Sequence, residues 1–226
     1  MEKKILTEDL EKTFEMAICL LYDINYDGNY KYSIDEANLI KEKLKKLLDI
    51  FPYKLKHIAK NGNKYDFTAI ENNDIYLSAK TTKKDAKVCP QVIGQPSKKK
   101  FCEYFKIDEN LNLTEIKNYI QINIKYLLNI YIKNTFDCPI IYYNKNKNFI
   151  WFIELKETID WTNINILFSH ISKNKNWNES SSISINNINI GEFQIHNHRD
   201  CIKFRWCFEN LLKLFQENFN ISIIFS

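Results

Sequence analysis

The hydrophobic pattern of this chain changes from a helical period to a strand period along its length. In TEDLEKTFEMAICLLYDI, Leu10, Phe14 and Ile18 recur at helical spacing and predict an amphipathic helix. Ser33 followed by Glu36 is a capping box that predicts the start of a second helix, SIDEANLIKEKLKKLLDIF. Residues 114–133 carry the apolar stripe of a third, long helix.

The strand-like segments are short and alternate between apolar and polar residues. They cover roughly 65–71 and 75–81, then 139–143 and 148–156, then 183–195 and 201–207, and a final apolar strand ISIIF follows a short helix. Helices and strands mixed in this way predict an α/β (α+β) fold, with a mixed central β-sheet flanked by helices.

Composition restricts the class of protein and its partners. Hydrophobic residues make up 45% and aromatic residues 14% of the 226 residues, which is typical of a globular protein. The formal net charge of +4 permits a nucleic-acid partner without requiring one. Six cysteines without a CxxC pair, and a start MEKK without an apolar signal, lead us to expect a cytoplasmic protein with reduced thiols and no membrane partner.

One candidate site lies in the segment YDFTAIENNDIYLSAK. Asp66 opens the first of two neighbouring strands, and Ser78 and Lys80 share one face of the second. Cross-strand pairing can bring Asp66 close to Lys80. A carboxylate binds a divalent cation, and a nearby lysine can orient a water or stabilise a pentavalent phosphate. The pattern indicates a site for phosphodiester hydrolysis.

These residues also carry a resemblance to a known family. The segments YDF…LSAKTTKK…KVCPQVIGQPS and GEFQIHNHRDCIKFRW, roughly 60–105 and 190–210, resemble type II restriction endonucleases of the PD-(D/E)xK nuclease superfamily. The resemblance implies a restriction-endonuclease-like fold and Mg²⁺-dependent, sequence-specific cleavage of double-stranded DNA by a homodimer. Asp66 would be the first carboxylate and Lys80 the lysine, while Ser78 stands where the family has its second acid.

The resemblance also implies one endonuclease domain over 1–226. Its helical N-terminal part, 1–135, would hold the catalytic strands, and its β-rich part, 136–226, a DNA-reading hairpin. Because a neutral hydroxyl is a poor Mg²⁺ ligand, we expect a helix carboxylate to complete the metal site with Asp66. Glu36 is the first candidate, and Glu42 and Glu103 are alternatives.

A second match to the same signature lies in DCPIIYYNKNKNFIWFIELKETIDW. Asp137 precedes a strand, and Glu154 and Lys156 share a face at the end of the next. This match has an acid in the middle position. It lacks the flanking context of the first, and a strand leaving a core has the same appearance. Both sites stay open as the catalytic one.

The segment GEFQIHNHRDCIKFRWCF holds the only two arginines, Arg199 and Arg205. Polar residues aligned on one side of a hairpin can donate bidentate hydrogen bonds to base edges in a DNA groove. The DNA contacts predicted here and beside the first site are Gln91, Gln95, Gln194, His196, Arg199 and Arg205. A solvated amphipathic hairpin fits equally well, with Trp206 in the core. The spacing H-x-H-x2-C-x5-C from His196 fits no common zinc site.

Two other functions remain open from the sequence. One is a non-catalytic DNA-binding module, in which Ser78 would mark a lost acid. The other is a protein-interaction domain without DNA affinity.

Overall fold

The computed structural model describes residues 7–60, 63–83 and 86–226. The helices are α1 (Thr7–Leu21), α2 (Ile34–Lys43), α3 (Leu47–Ile50), α4 (Lys98–Phe105), α5 (Leu113–Ile122), α6 (Ile124–Thr135), α7 (Ser169–Ser172) and α8 (Phe208–Leu214). The strands are β1 (Leu55–His57), β2 (Phe67–Ala69), β3 (Tyr76–Thr82), β4 (Lys87–Val88), β5 (Ile140–Asn144), β6 (Phe149–Leu155), β7 (Leu167–Phe168), β8 (Ser180–Ile185), β9 (Ile188–Ile195), β10 (Ile202–Cys207) and β11 (Phe219–Phe225). None of the described helices is long and apolar enough to cross a membrane.

The chain divides into two compact units. Unit 1 comprises Met1–Ala86, Cys138–Leu155 and Phe219–Ser226, and unit 2 comprises Lys87–Asp137 and Lys156–Asn218. The units are interleaved in sequence because β5, β6 and β11 complete the sheet that β1 to β3 begin. A division between 135 and 136 therefore does not describe the two units, and the single endonuclease domain stays a prediction.

Unit 1 contains a six-stranded sheet in the order β1-β2-β3-β5-β6-β11. Strands β3 and β5 are parallel, with Ser78 opposite Ile140 and Lys80 opposite Tyr142, and the other neighbours are antiparallel. Helix α1 packs on β3. The predicted mixed sheet flanked by helices is confirmed.

The core of unit 1 follows the helical stripe read from the sequence. Leu10, Phe14 and Ile18 of α1 are fully buried, in one cluster with Leu77 and Ile141 of the sheet. Full burial of a large aliphatic or aromatic side chain contributes roughly 1.5–3 kcal/mol, so this stripe fixes α1 against the sheet.

Unit 2 contains a five-stranded antiparallel sheet in the order β4-β10-β9-β8-β7. Its core is aromatic: Phe204 and Trp206 of β10 are fully buried, and the Tyr131 ring of α6 stacks on Phe204 at 4.4 Å. The Trp206 indole donates a 2.9 Å hydrogen bond to Thr135 Oγ1, so its polar atom is satisfied. The interpretation of Trp206 as a core residue is confirmed.

Three predicted elements are divided in the structure, and one of the divisions has a visible local cause. The helix predicted over 114–133 is interrupted at Asn123, which has a φ of −103° and whose side-chain amide donates to Tyr119 O at 2.9 Å. The strand predicted over 183–195 is a hairpin, because Asn186 and Asn187 adopt φ of 49° and 63° and form a tight turn. The helix predicted from Ser33 ends at Lys43, and α3 begins at Leu47.

Candidate active site

Asp66 and Lys80 lie together in unit 1. Asp66 immediately precedes β2, and its Oδ2 accepts a 2.8 Å hydrogen bond from the backbone N–H of Ala79 in β3. Lys80 is the next residue along β3, and its Nζ lies 3.8 Å from the same Oδ2. That separation is longer than a direct hydrogen bond, and the Lys80 and Asp66 side chains are 16% and 15% exposed. The pair is therefore not sealed from solvent.

A second carboxylate reaches Lys80 from helix α1. Glu11 Oε1 lies 3.9 Å from Lys80 Nζ, and the Glu11 side chain is 38% exposed. The cluster thus contains two acids and one lysine, contributed by the start of β2, by β3 and by α1. We call Glu11, Asp66 and Lys80 the acid–lysine cluster.

Burial sets the charge state of the acid–lysine cluster. It raises the pKa of Asp66, an effect that the Lys80 charge opposes only in part, and it raises the pKa of Glu11 in the same way. For Lys80, burial alone would lower the pKa, but attraction to Asp66 and Glu11 outweighs it, so the net shift is upward. Lys80 is therefore an ammonium at neutral pH, and burial makes both Asp66 and Glu11 easier to protonate than free carboxyl groups.

A buried network that includes Glu15 of α1 lies close enough to influence the acid–lysine cluster. Glu15 follows Glu11 by one turn and lies 3.1 Å from His57 Nε2 and 3.2 Å from Lys12 Nζ. His57 Nδ1 accepts a 2.8 Å hydrogen bond from the N–H of Asp27, so Nε2 carries the proton and donates to Glu15. Burial would raise the pKa of Glu15, but these hydrogen bonds and charges lower it. Glu15 therefore stays ionised, and its charge raises the pKa of Asp66 and Glu11, an effect that the neighbouring Lys12 opposes.

The other residues expected at this site have different neighbours. Ser78 is fully buried, and its Oγ accepts a hydrogen bond from Cys138 Sγ at 3.6 Å. Glu36 is paired with Lys145. Glu42 is paired with Lys45 on the surface. The helix carboxylate that approaches Lys80 is Glu11, where the sequence favoured Glu36.

Glu11 left a weak signal in the sequence. Two acids four residues apart, Glu11 and Glu15, flank the buried stripe of α1. Acids beside a core-facing stripe are candidates for a buried site, because most acids lie on the solvated face of a helix.

The residues of the second signature match belong to different units. Glu154 is exposed on β6, opposite Asn220 of β11 in unit 1. Asp137 and the exposed Lys156 belong to unit 2. The backbone N–H of Lys156 donates to Asn218 O at 2.8 Å. Asp137, Glu154 and Lys156 are exposed, whereas each residue of the acid–lysine cluster is partly buried.

Unit 2 carries the predicted hairpin in β9 and β10. Arg205 lies opposite Glu192 and Lys203 opposite Gln194, so these polar side chains share one face. Arg205 Nη2 donates to Glu192 Oε2 at 2.9 Å, and Lys87 Nζ donates to the same oxygen at 2.9 Å. Burial would raise the pKa of Glu192, but the two donors lower it. Arg205 is therefore held in place by an ionised partner.

The remaining predicted DNA contacts lie around this hairpin. Gln95 lies beside β10, because its neighbours Gly94 and Pro96 accept backbone hydrogen bonds from Phe204 and Ile202 at 2.8 and 3.0 Å. Its side chain is exposed. Arg199 is exposed in the turn between β9 and β10. Gln91 is buried, and His196 contacts Glu179.

The sheet and the acid–lysine cluster define the class as a mixed α/β protein with a cation-attracting acid–lysine site. No family model and no solved structure matches the chain. The chain is 48% identical over 221 residues, 97% of its length, to the type II restriction enzyme CviAII of Paramecium bursaria Chlorella virus 1, and it spans 64% of that protein. The predicted resemblance to type II restriction enzymes is confirmed, and membership of the PD-(D/E)xK superfamily stays a prediction.

Proposed function

We propose that this chain is a type II, site-specific deoxyribonuclease that hydrolyses phosphodiester bonds of double-stranded DNA with Mg²⁺. The convergence of Glu11, Asp66 and Lys80 carries the proposal, because an acid–lysine site of this kind suits phosphodiester hydrolysis. The 48% identity to a type II restriction enzyme supports it. A soluble cytoplasmic enzyme acting as a homodimer on a symmetric site fits this reading.

The donors of the acid–lysine cluster fit a hard divalent cation. Carboxylate oxygens are the ligands that Mg²⁺ prefers, and burial, which raises the pKa of Asp66 and Glu11, disfavours their ionised forms, so a bound cation would stabilise those forms. We propose that Asp66 and Glu11 hold the ion, with Glu11 in the role first expected of Glu36. Bound Mg²⁺ would neutralise the phosphate oxygens at which charge develops.

The chain's own residues supply orientation and charge. The N–H of Ala79 orients the Asp66 carboxylate through Oδ2. Lys80, as an ammonium at neutral pH, donates hydrogen bonds and does not accept a proton. We therefore assign to Lys80 the orientation of the attacking water and the stabilisation of charge on the phosphate.

We propose that DNA is read by unit 2 through the polar face of β9–β10 and the turn that joins them. Gln194 shares the face anchored by Arg205, and Arg199 and Gln95 are exposed beside it. Arginine presents a rigid fork of donors to guanine, and glutamine pairs with adenine. The buried Gln91 is not included in this surface.

Digestion of a plasmid of known sequence tests the function. Discrete fragments with Mg²⁺, and none with EDTA, are expected from the full chain. Lys80→Ala should abolish cleavage while DNA binding in Ca²⁺ persists, and Lys156→Ala should cleave like wild type. Cleavage that survives Lys80→Ala and disappears in Lys156→Ala would move the active site to Asp137, Glu154 and Lys156. Binding without cleavage under any divalent ion would favour the non-catalytic DNA-binding module.

A further inference from the structure

Two histidines and one glutamate converge at the turn of the β9–β10 hairpin. Glu179 immediately precedes β8, and His196 and His198 follow β9. One ligand atom from each residue lies within 4.8 Å of the other two. The backbone aligns them, because Glu179 O accepts a 2.7 Å hydrogen bond from the N–H of Ile195.

The contact between His196 and Glu179 is not an ordinary hydrogen bond. His196 Nδ1 lies 3.1 Å from Glu179 Oε2, and Nδ1 is shielded from solvent. It nevertheless makes no aligned hydrogen bond to any described residue. In a hydrogen bond the acceptor lies along the N–H direction, whereas two ligands of one ion direct their lone pairs to a point between them. Ligands at about 2 Å from a tetrahedral ion lie roughly 3.3 Å apart, close to the separation seen here.

The third ligand can complete the site. The His196 and His198 rings are 5.3 Å apart between centroids, with an angle of 57° between their planes. His198 is exposed and the Glu179 side chain is 52% exposed, so both can rotate toward a common point without disturbing a packed core.

We propose that Glu179, His196 and His198 form a binding site for a divalent transition-metal ion of the Zn²⁺ class. Two imidazoles and one carboxylate suit Zn²⁺ and its neighbours, whereas Mg²⁺ and Ca²⁺ select oxygen ligands. The site is separate in chemistry and in residues from the acid–lysine cluster. A bound ion would crosslink the start of β8 to the turn that carries Arg199, and would hold that turn in one conformation.

The test is Zn²⁺ titration by calorimetry on the full chain, stripped with EDTA and then kept in excess Mg²⁺ so that oxygen-only sites are filled. One Zn²⁺ per chain is expected. His198→Gln and Glu179→Gln should each weaken the affinity for Zn²⁺ by at least about tenfold. His170→Gln is the matched control, because this half-buried histidine of unit 2 lies outside the cluster. The Zn²⁺ affinity of the His170→Gln variant should equal that of wild type.

Two controls test whether a cysteine thiol is a ligand of the ion. The first is the Cys201→Ser variant, and the second is the absorption spectrum of bound Co²⁺, because cysteine ligands give an intense charge-transfer band and imidazoles do not. No Zn²⁺ binding by wild type, or binding that is lost in Cys201→Ser and kept in His198→Gln, would overturn the proposal. Since His198 is exposed, its replacement leaves the fold intact, which circular dichroism checks. The measurement involves no DNA, so its failure would leave the proposed nuclease activity untouched.

Discussion

Replacing Glu11 by glutamine tests which helix carboxylate completes the catalytic site. The substitution keeps the size of the side chain and removes the charge of one of the two carboxylates that lie within 4 Å of Lys80 Nζ. At 3.9 Å and an effective dielectric constant of about 20, the Glu11–Lys80 attraction is about 4 kcal/mol before solvation is counted, so this charge is a major component of the local field. A divalent ion contributes several kcal/mol of transition-state stabilisation. If the substitution removes roughly 3 kcal/mol of this transition-state stabilisation, the cleavage rate should decrease by at least about 100-fold.

Glu36→Gln is the matched control. Glu36 was the favoured carboxylate from the sequence, but it is paired with Lys145. Its replacement should change the cleavage rate by less than about threefold and cost stability of about 0.5 kcal/mol, as expected for a partly exposed ion pair. Single-turnover cleavage of a short duplex, measured as a function of Mg²⁺ concentration, distinguishes the two. A Glu11→Gln enzyme with wild-type rate and wild-type Mg²⁺ dependence, beside an inactive Glu36→Gln enzyme, would refute the assignment of Glu11.

Further substitutions test the charge balance and the hairpin. Burial raises the pKa of Asp66 in the folded state above its pKa in the unfolded state. The ionised carboxylate therefore destabilises the fold at pH values above the folded-state pKa, and this cost disappears as the pH falls below the unfolded-state pKa. Asp66→Asn should therefore abolish cleavage, and urea denaturation should show its free energy of unfolding falling relative to that of wild type as the pH is lowered through the pKa of Asp66, whereas a pH-independent difference would contradict the raised pKa. Lys80→Met should lower that free energy by about 3 kcal/mol at pH 7, because Asp66 and Glu11 lose their cation, and a stability equal to wild type would contradict the described pairing. Arg205→Ala leaves Glu192 with Lys87 and should reduce DNA affinity or sequence preference in a filter-binding assay, and an unchanged affinity and preference would remove Arg205 from the reading surface.

The acid–lysine cluster shows where prediction from sequence stopped. Asp66 and Lys80 were predictable because neighbouring strands pair locally, and a short polar turn joins these two. Glu11 was not, because it lies 55 residues before Asp66 in a helix whose orientation on the sheet is set by buried contacts. Glu36 was favoured on residue type alone, and its pairing with Lys145, 109 residues away, is invisible to a local pattern.

The periodicity of each segment can be read from local residue order, because side-chain alternation depends only on local backbone geometry. It was enough to predict the stripe of α1, the β5–β6 hairpin and the buried face of β10. Which distant charges meet depends on the folded arrangement, because packing between elements brings Glu11 to Lys80 and Glu179 to His196. The two-unit arrangement was settled in the same way, by strands late in the chain that complete a sheet begun early.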